Sequence, residues 1–318
     1  MTSLNILLVA EEAAGVQTLR FLCGSPHRVV AVLTGRGDGS AATAVGTAAA
    51  RAGCAVWPAS LVRDAAFAET VRRHDVDLLL NVHSLFVVHQ AVVAAPRIGS
   101  FNVHPGLLPG YAGLNAPSWA IYHGERAHGV TVHWMDKGID TGRIAYQAGL
   151  EIAEGDTGYT LSAKCTRAAL PLLQQLVAAA AQDPAAIPRA PQPDGPRRYF
   201  GREVPENGRI DWSAPARRVV DFVRAADYSP FESPWGHPRT WADSRELAVV
   251  RAARTGLPAD AAPGVVGQPL GAAMLVASGD EWVAIQRAEL NGVLVDGCTA
   301  LERGLRLTVG PSELSPEV

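Results

Sequence analysis

Four short apolar runs, at residues 4–10, 28–34, 76–82 and 98–104, fall within the first third of this 318-residue chain, and Ala-rich stretches separate the first three. Runs of Leu, Val and Ile without polar alternation are typical of strands buried on both faces. The intervening segments at 13–22, 43–53 and 64–74 are long enough to be helices, and Gly53 suits the end of one of them. Strand and helix in alternation predict a parallel α/β sheet. Ligands of such open sheets gather at the carboxyl ends of the strands, and His104 stands at one of these ends.

The fourth run ends in Phe101-Asn-Val-His-Pro-Gly-Leu-Leu-Pro-Gly-Tyr-Ala-Gly113, and farther on comes His128-Gly-Val-Thr-Val-His-Trp-Met-Asp-Lys-Gly-Ile-Asp-Thr-Gly142. Residues two apart on a strand share a face, so Asn102 and His104 point into one pocket. Pro105, Gly106, Pro109, Gly110 and Gly113 prevent a helix after them and build a shaped loop. With Asp140, the pocket would combine a neutral amide donor, a base and a carboxylate. No Ser or Cys stands beside them, which disfavours a Ser-His-Asp hydrolase. The set suits attack of an external amine on an acyl carbon, with His104 and Asp140 managing protons and the Asn102 amide holding the developing oxyanion. That is acyl transfer between two bound small molecules.

The remainder of the chain gives weaker signals. Phe86, Val87 and Val88 extend an apolar strand into a loop and either line a pocket or pack in the core. The Gly35–Ser40 stretch lacks both the phosphate-loop ending and the dinucleotide fingerprint, so it reads as a surface loop. A strand at 143–152 and a helix at 159–181 precede a proline-rich linker. A helix signature follows at 211–226, with Ser213 as N-cap and Pro215 in the first turn. Short alternating runs at 238–252, 263–268, 273–278, 281–290 and 304–309 suggest a small β-barrel.

Size allows roughly two domains. The net charge of −3 argues against a protein dominated by phosphate-backbone contacts. No run is long enough to span a bilayer, and the apolar residues 4–10 are too few for a secretory signal, so a cytoplasmic protein is expected. Cys23, Cys54, Cys165 and Cys298 are scattered and are expected to be buried, reduced structural thiols. His123, His128 and His133 match no metal-ligand spacing and read as surface histidines, two of them in the turn before a strand; no metal is expected.

Asn102-x-His104, Leu107-Leu-Pro-x-Tyr-x-Gly113, His128-Gly-Val-Thr-Val-His133 and Gly138-Ile-Asp-Thr-Gly142 together resemble the 10-formyltetrahydrofolate-dependent formyltransferases, the methionyl-tRNA formyltransferase-like group. Phe200-Gly-Arg…Gly208-Arg-Ile-Asp-Trp212 extends the similarity into the second half. The resemblance implies a Rossmann-like, mostly parallel catalytic domain over 1–185, a linker over 186–204 and an OB-like barrel over 205–318. It also implies that Asn102, His104 and Asp140 are catalytic and that 10-formyltetrahydrofolate is the co-substrate. The donor's pterin would lie beside Ser84, Leu85, Phe86, Val87 and Val88 and the segment Gly138–Ile139. The loop from Gly106 through Leu107, Tyr111 and Asn115 to Trp119 would shape acceptor recognition.

Members that act on tRNA generally carry a basic loop after the second strand, whereas residues 37–48 here contain no Lys or Arg. Ala112 stands where the family usually has Arg. The resemblance therefore leans towards enzymes that formylate amino sugars or carrier-bound amines, with tRNA the less favoured acceptor.

Overall fold

The computed structural model describes residues 2–35, 43–84 and 86–310, so all of the expected surface loop beyond Gly35 lies outside the described residues. The chain forms two compact units. The first comprises Met1–Ala116, His128–Glu151 and Ser162–Phe200, and the second Pro117–Ala127, Ile152–Leu161 and Gly201–Val318. In chain order the elements begin β1 (Asn5–Ala10), α1 (Glu12–Cys23), β2 (Arg28–Thr34), α2 (Ala44–Arg51) and β3 (Val56–Pro58). Next come α3 (Phe67–Arg73), β4 (Leu78–Val82), α4 (Gln90–Val93), β5 (Gly99–His104) and β6 (Ala112–Gly113). They continue with α5 (Ala116–Tyr122), β7 (Ala127–Trp134), β8 (Ile144–Glu151), α6 (Gly158–Gln182) and β9 (Tyr199–Phe200).

The expected strands form one sheet in the order β3-β2-β1-β4-β5-β7-β8. Its first five strands are parallel to their neighbours. β7 runs antiparallel to β5, so the sheet is mixed. The chain turns to the other side of β1 when it enters β4, the kind of switch beside which ligands bind in such sheets. Both faces are covered. Ile6, Leu8, Leu80, Phe101 and Val103 pack with Leu19, Leu22, Leu173 and Leu176 from α1 and α6, while Leu7, Val9, Leu33 and Leu79 pack with Phe67 and Val71 of α3. This double burial is why the strands read as continuous apolar runs.

Local sequence explains several boundaries. Thr43 is the N-cap of α2 rather than part of it, its hydroxyl accepting the Gly46 N–H at 2.9 Å. Gly53 follows at φ +72°, the left-handed turn expected after a helix end. The cysteine expectation needs correction: Cys165 is buried, but Cys23 is exposed, with its Sγ 3.7 Å from that of Cys54.

The second unit continues with α7 (Ala216–Ala225), β10 (Arg239–Ala242), β11 (Arg245–Pro258), β12 (Val266–Leu270) and β13 (Ala273–Ala277). It ends with β14 (Glu281–Leu290), β15 (Val293–Asp296), α8 (Gly297–Ala300) and β16 (Leu307–Thr308). Its antiparallel sheet has the order β12-β13-β14-β11-β10-β16, with β15 paired to β14. Val219 and Val223 of α7 join Leu247, Val276, Val283 and Ile285 in its core. α7 starts at Ala216 with Pro215 at the cap position, later than expected. Ser213 does not cap it, because its N–H and hydroxyl both bind Asp211 Oδ1, at 2.9 and 2.6 Å. Among the described residues, no helix is long and apolar enough to cross a membrane.

Candidate active site

The pairing of three strands assembles the site. In the sheet, Asn102 on β5 is registered with Asn81 on β4 and with His133 on β7, and His104 with Thr131. Residues directly opposite one another share a face. Asn81, Asn102, His104, Thr131 and His133 therefore lie on one side of the sheet, and the turn after β7 brings Asp140 over them.

Asp140 is buried, at 6% exposure, yet its carboxylate is surrounded by donors. Gly113 N–H donates to Oδ2 at 2.8 Å, and Asn102 Nδ2 donates to Oδ1 at 3.2 Å. His133 Nε2 lies 3.3 Å from Oδ1, and His104 Nδ1 lies 3.5 Å from Oδ2. Burial alone would raise its pKa; the His104 charge, the His133 hydrogen bond and the Gly113 N–H outweigh burial and hold it at about 2. It is an anion at neutral pH.

His104 is 4% exposed, and both of its ring nitrogens face oxygens. Nε2 is 2.5 Å from the Tyr111 carbonyl, and Nδ1 faces the Asp140 carboxylate. Burial pushes its pKa below the usual histidine value, while Asp140 and the Tyr111 carbonyl pull the other way. The ring is neutral at rest, but once protonated it has an acceptor at each end. That is the environment of a base able to hold a proton briefly.

The loop above is fixed in detail. Thr131 Oγ1 donates to Gly106 O at 2.6 Å, and His128 Nε2 hydrogen-bonds Pro105 O at 2.9 Å. The Tyr111 ring lies between Phe200, stacked at 5.6 Å, and His128, edge-on at 5.4 Å, with the Arg198 guanidinium 4.7 Å from its centroid. A Cβ on Gly106 would come within 2.5 Å of both His104 Nε2 and Tyr111 O, so only glycine leaves room for that hydrogen bond. Ala112 is fully buried, its N–H bonded to Arg198 O at 3.0 Å.

The stretch expected to be a linker is docked as far as Phe200. Ala190 bridges to Ile144, β9 pairs with β6, Gln192 Nε2 donates to Asp140 O at 2.8 Å and to Gly142 O at 3.0 Å, and Arg197 donates to Ile139 O at 2.7 Å.

The structure thus brings Asn102, His104 and Asp140 together, with Gly106 and Tyr111 against His104. Leu107 and Asn115 are half-buried, Asn115 at φ +54°. Trp119 is buried at 7% exposure within the second unit, its ring 4.9 Å from Trp235 and 5.6 Å from His123. Of the expected donor contacts, Val88 is buried in the core with Val62 and Val92, and Phe86 packs against it. Val87 is 68% exposed, Ser84 is half-buried, Gly138 and Ile139 are exposed, and Leu85 lies outside the described residues. A cavity of about 500 Å³ adjoins this region, lined among others by Gln90, Val93, Ile98, Trp134, Lys137 and Arg189. Arg189 lies 3.7 Å above the Trp134 ring.

Sequence reasoning missed two polar groups of the site. His133 was expected at the surface, but it and His128 are fully buried within β7, because an antiparallel neighbour places His133 against Asn102. Only His123 falls in the turn. Asn81 is the second: a lone Asn inside a buried apolar strand needs a partner, and its Nδ2 donates to Asn102 Oδ1 at 2.8 Å.

Comparison with known proteins places the chain in a family. The "Formyl transferase" family model matches residues 26–177, and the "Formyl transferase, C-terminal domain" model matches residues 204–294. A methionyl-tRNA formyltransferase from Synechococcus sp. (strain JA-3-3Ab) is 31% identical over 266 residues, 81% of this chain and 80% of that protein. Among solved structures, the N-formyltransferase from Helicobacter canadensis in complex with folinic acid and dTDP-3-aminofucose superposes with a TM-score of 0.67 at 16% identity, covering 89% of this chain and 98% of that one. HypX from Aquifex aeolicus in complex with tetrahydrofolic acid gives 0.64 at 17% identity over 94% of this chain, which spans only 47% of HypX.

Proposed function

This chain belongs to the formyltransferase family and is a formyltransferase; from that premise we propose that it moves a formyl group from 10-formyltetrahydrofolate to the amine of a small or carrier-bound acceptor. The observation that carries the reading is the convergence of Asn102 and His104 on Asp140, which is buried yet anionic.

When bound, the folate supplies an activated formyl carbon. His104 takes the proton that the attacking amine loses, and the Asp140 carboxylate and Tyr111 carbonyl hold the resulting imidazolium. Asn102 is the half-exposed member of the three, and its Nδ2–H is the donor for the oxyanion. His104 then returns its proton to the departing nitrogen. Burial of His104 and Asp140 keeps water from competing with the amine.

The cavity beside Trp134 supports the donor assignment. Its size lies within the range of small-molecule sites, and Val93, Ala94 and Ile98 give it an apolar wall, with Gln90, Asp136 and Lys137 supplying polar groups. We assign the pterin to this cavity. The adjoining Gly138–Ile139 segment and Phe86 loop would flank it.

The acceptor preference rests on charge. Residues 201–318 contain twelve arginines and no lysine against sixteen carboxylates. Seven of those arginines, at 217, 218, 224, 239, 251, 254 and 287, are already in ion pairs with Asp or Glu. A surface that grips a phosphate backbone needs free cations. We read residues 1–185 as the catalytic domain and 205–318 as an accessory domain. The bridge between Val265 and Arg306 links the two ends of the accessory sheet and supports an OB-like barrel.

The second reading is methionyl-tRNA formylation, favoured by the names of relatives at 27–31% identity. Mass spectrometry for a formyl increment, after incubation with 10-formyltetrahydrofolate and a panel of nucleotide-linked amino sugars, amino-acid amines and methionyl-tRNA, tests both. Modification of a small amine is the expected outcome; modification of the tRNA alone, with salt-sensitive submicromolar binding, overturns the acceptor preference.

A further inference from the structure

The chain between α6 and β9 carries five prolines, at 184, 188, 191, 193 and 196. Gln192 stands between two of them. Pro191 fixes the chain before it, and Pro193 confines Gln192 itself to an extended conformation. A side chain mounted on such a stiff strap loses little freedom when it is placed.

That placement is on the Asp140 turn. The Gln192 carboxamide spans the Asp140 and Gly142 carbonyls, and the Arg197 guanidinium reaches the Ile139 carbonyl. Three carbonyls within four residues are therefore held by two side chains some fifty positions away. Arg197 is itself braced 5.6 Å above the Tyr199 ring. Tyr199 and Phe200 form β9, which pairs with Ala112 and Gly113, and Gly113 supplies the N–H to the Asp140 carboxylate. The strap thus grips the turn from its backbone side and, through β6, from its carboxylate side. The grip also offsets backbone strain, because Asp140 sits at φ +54°, in the left-handed region that costs a residue with a side chain conformational energy.

We propose that Gln192 and Arg197 are positioning residues for formyl transfer, acting through the Asp140 turn to keep its carboxylate against His104 and Asn102. The proposal rests on the reading of Asp140 as the charged partner of His104. It makes the proline-rich segment a working part of the reacting centre and gives residues some fifty positions from the Asp140 turn a defined effect on rate.

The test uses the full-length protein with Q192A, Q192E, R197A, R197K and D140N. The measurements are kcat, KM for the donor, the stoichiometry and Kd of 5-formyltetrahydrofolate binding, and thermal midpoint. Q192A and Q192E, neither able to donate, are expected to lower kcat per folate-binding site by about 10- to 100-fold, with Kd within about twofold of wild type. R197K keeps a donor and is expected to recover much of the activity lost in R197A. A purely structural role would lower the thermal midpoint or the number of binding sites and leave kcat per site unchanged. Wild-type kcat per site in Q192A and R197A, alongside an inactive D140N, overturns the positioning role. An active D140N, or a wild-type protein that neither binds 5-formyltetrahydrofolate nor transfers formyl, removes the underlying reading and this role with it.

Discussion

Asn81 donates its side-chain N–H to Asn102 Oδ1 over 2.8 Å, from the registered position on the neighbouring strand. This occupies the Asn102 oxygen and turns its NH2 group towards Asp140 Oδ1, at 3.2 Å. The donor proposed for the oxyanion is therefore oriented by its neighbour. Asn81→Leu, close in size, frees the Asn102 amide to flip. Its kcat is expected to fall about tenfold, with little net change in thermal midpoint because loss of the hydrogen bond to Asn102 is offset by removal of the buried, unpartnered Asn81 Oδ1. Steady-state kinetics with unchanged kcat would rule out the orienting role.

His104→Ala is expected to abolish turnover, about 10²- to 10⁴-fold, while 5-formyltetrahydrofolate still binds within a few-fold of wild type. Because burial depresses the His104 pKa, the base stays neutral below the usual 6.5. The acid limb of kcat/KM should accordingly lie below pH 6.5. A limb above 6.5 would mean that another group limits the rate.

Stability should fall in acid in two stages. Both His104 and Asp140 have folded pKa values below their unfolded ones, so the unfolded chain binds more protons in acid. Their contribution is complete above about 6.5, declines first as His104 is forced to charge, and declines again between 3.8 and about 2 as Asp140 protonates. The Asp140 share is roughly 2–3 kcal/mol. Denaturant unfolding as a function of pH should show the lower stage disappear in Asp140→Asn.

Gly113 sits at φ +92°, and a Cβ there would come within 2.1 Å of Phe200 O. Gly113→Ala must break either the β6–β9 pairing or the N–H contact to Asp140. A loss of about 2 kcal/mol or more in unfolding free energy, together with reduced kcat, is expected. A stable, fully active variant would contradict the geometry of this turn.

Trp119 packs against Trp235, Tyr122 and His123 within its own unit. Trp119→Leu is expected to cost roughly 2–4 kcal/mol in stability through lost packing, leaving the acceptor KM near wild type. A large KM change at unchanged stability would make Trp119 an acceptor contact.

The sequence by itself determined what depends on neighbours along the chain. Period-two alternation put Asn102 and His104 on one face, apolar runs marked the strands of the main sheet, and the Pro/Gly pattern after His104 announced a shaped loop. The Asn102, His104 and Asp140 set was legible for that reason, with family resemblance naming its chemistry. Tertiary structure alone decided which strand lies beside which, and in what direction. An antiparallel β7 turns His133 from an expected surface histidine into a buried partner of Asn102, and the β4–β5 register makes Asn81 the residue that orients it. Composition showed that the 184–196 stretch is stiff and could not show where it docks. Only the folded chain brings Gln192 and Arg197 to the Asp140 turn, because hydrogen bonds between residues fifty positions apart leave no local trace in the sequence.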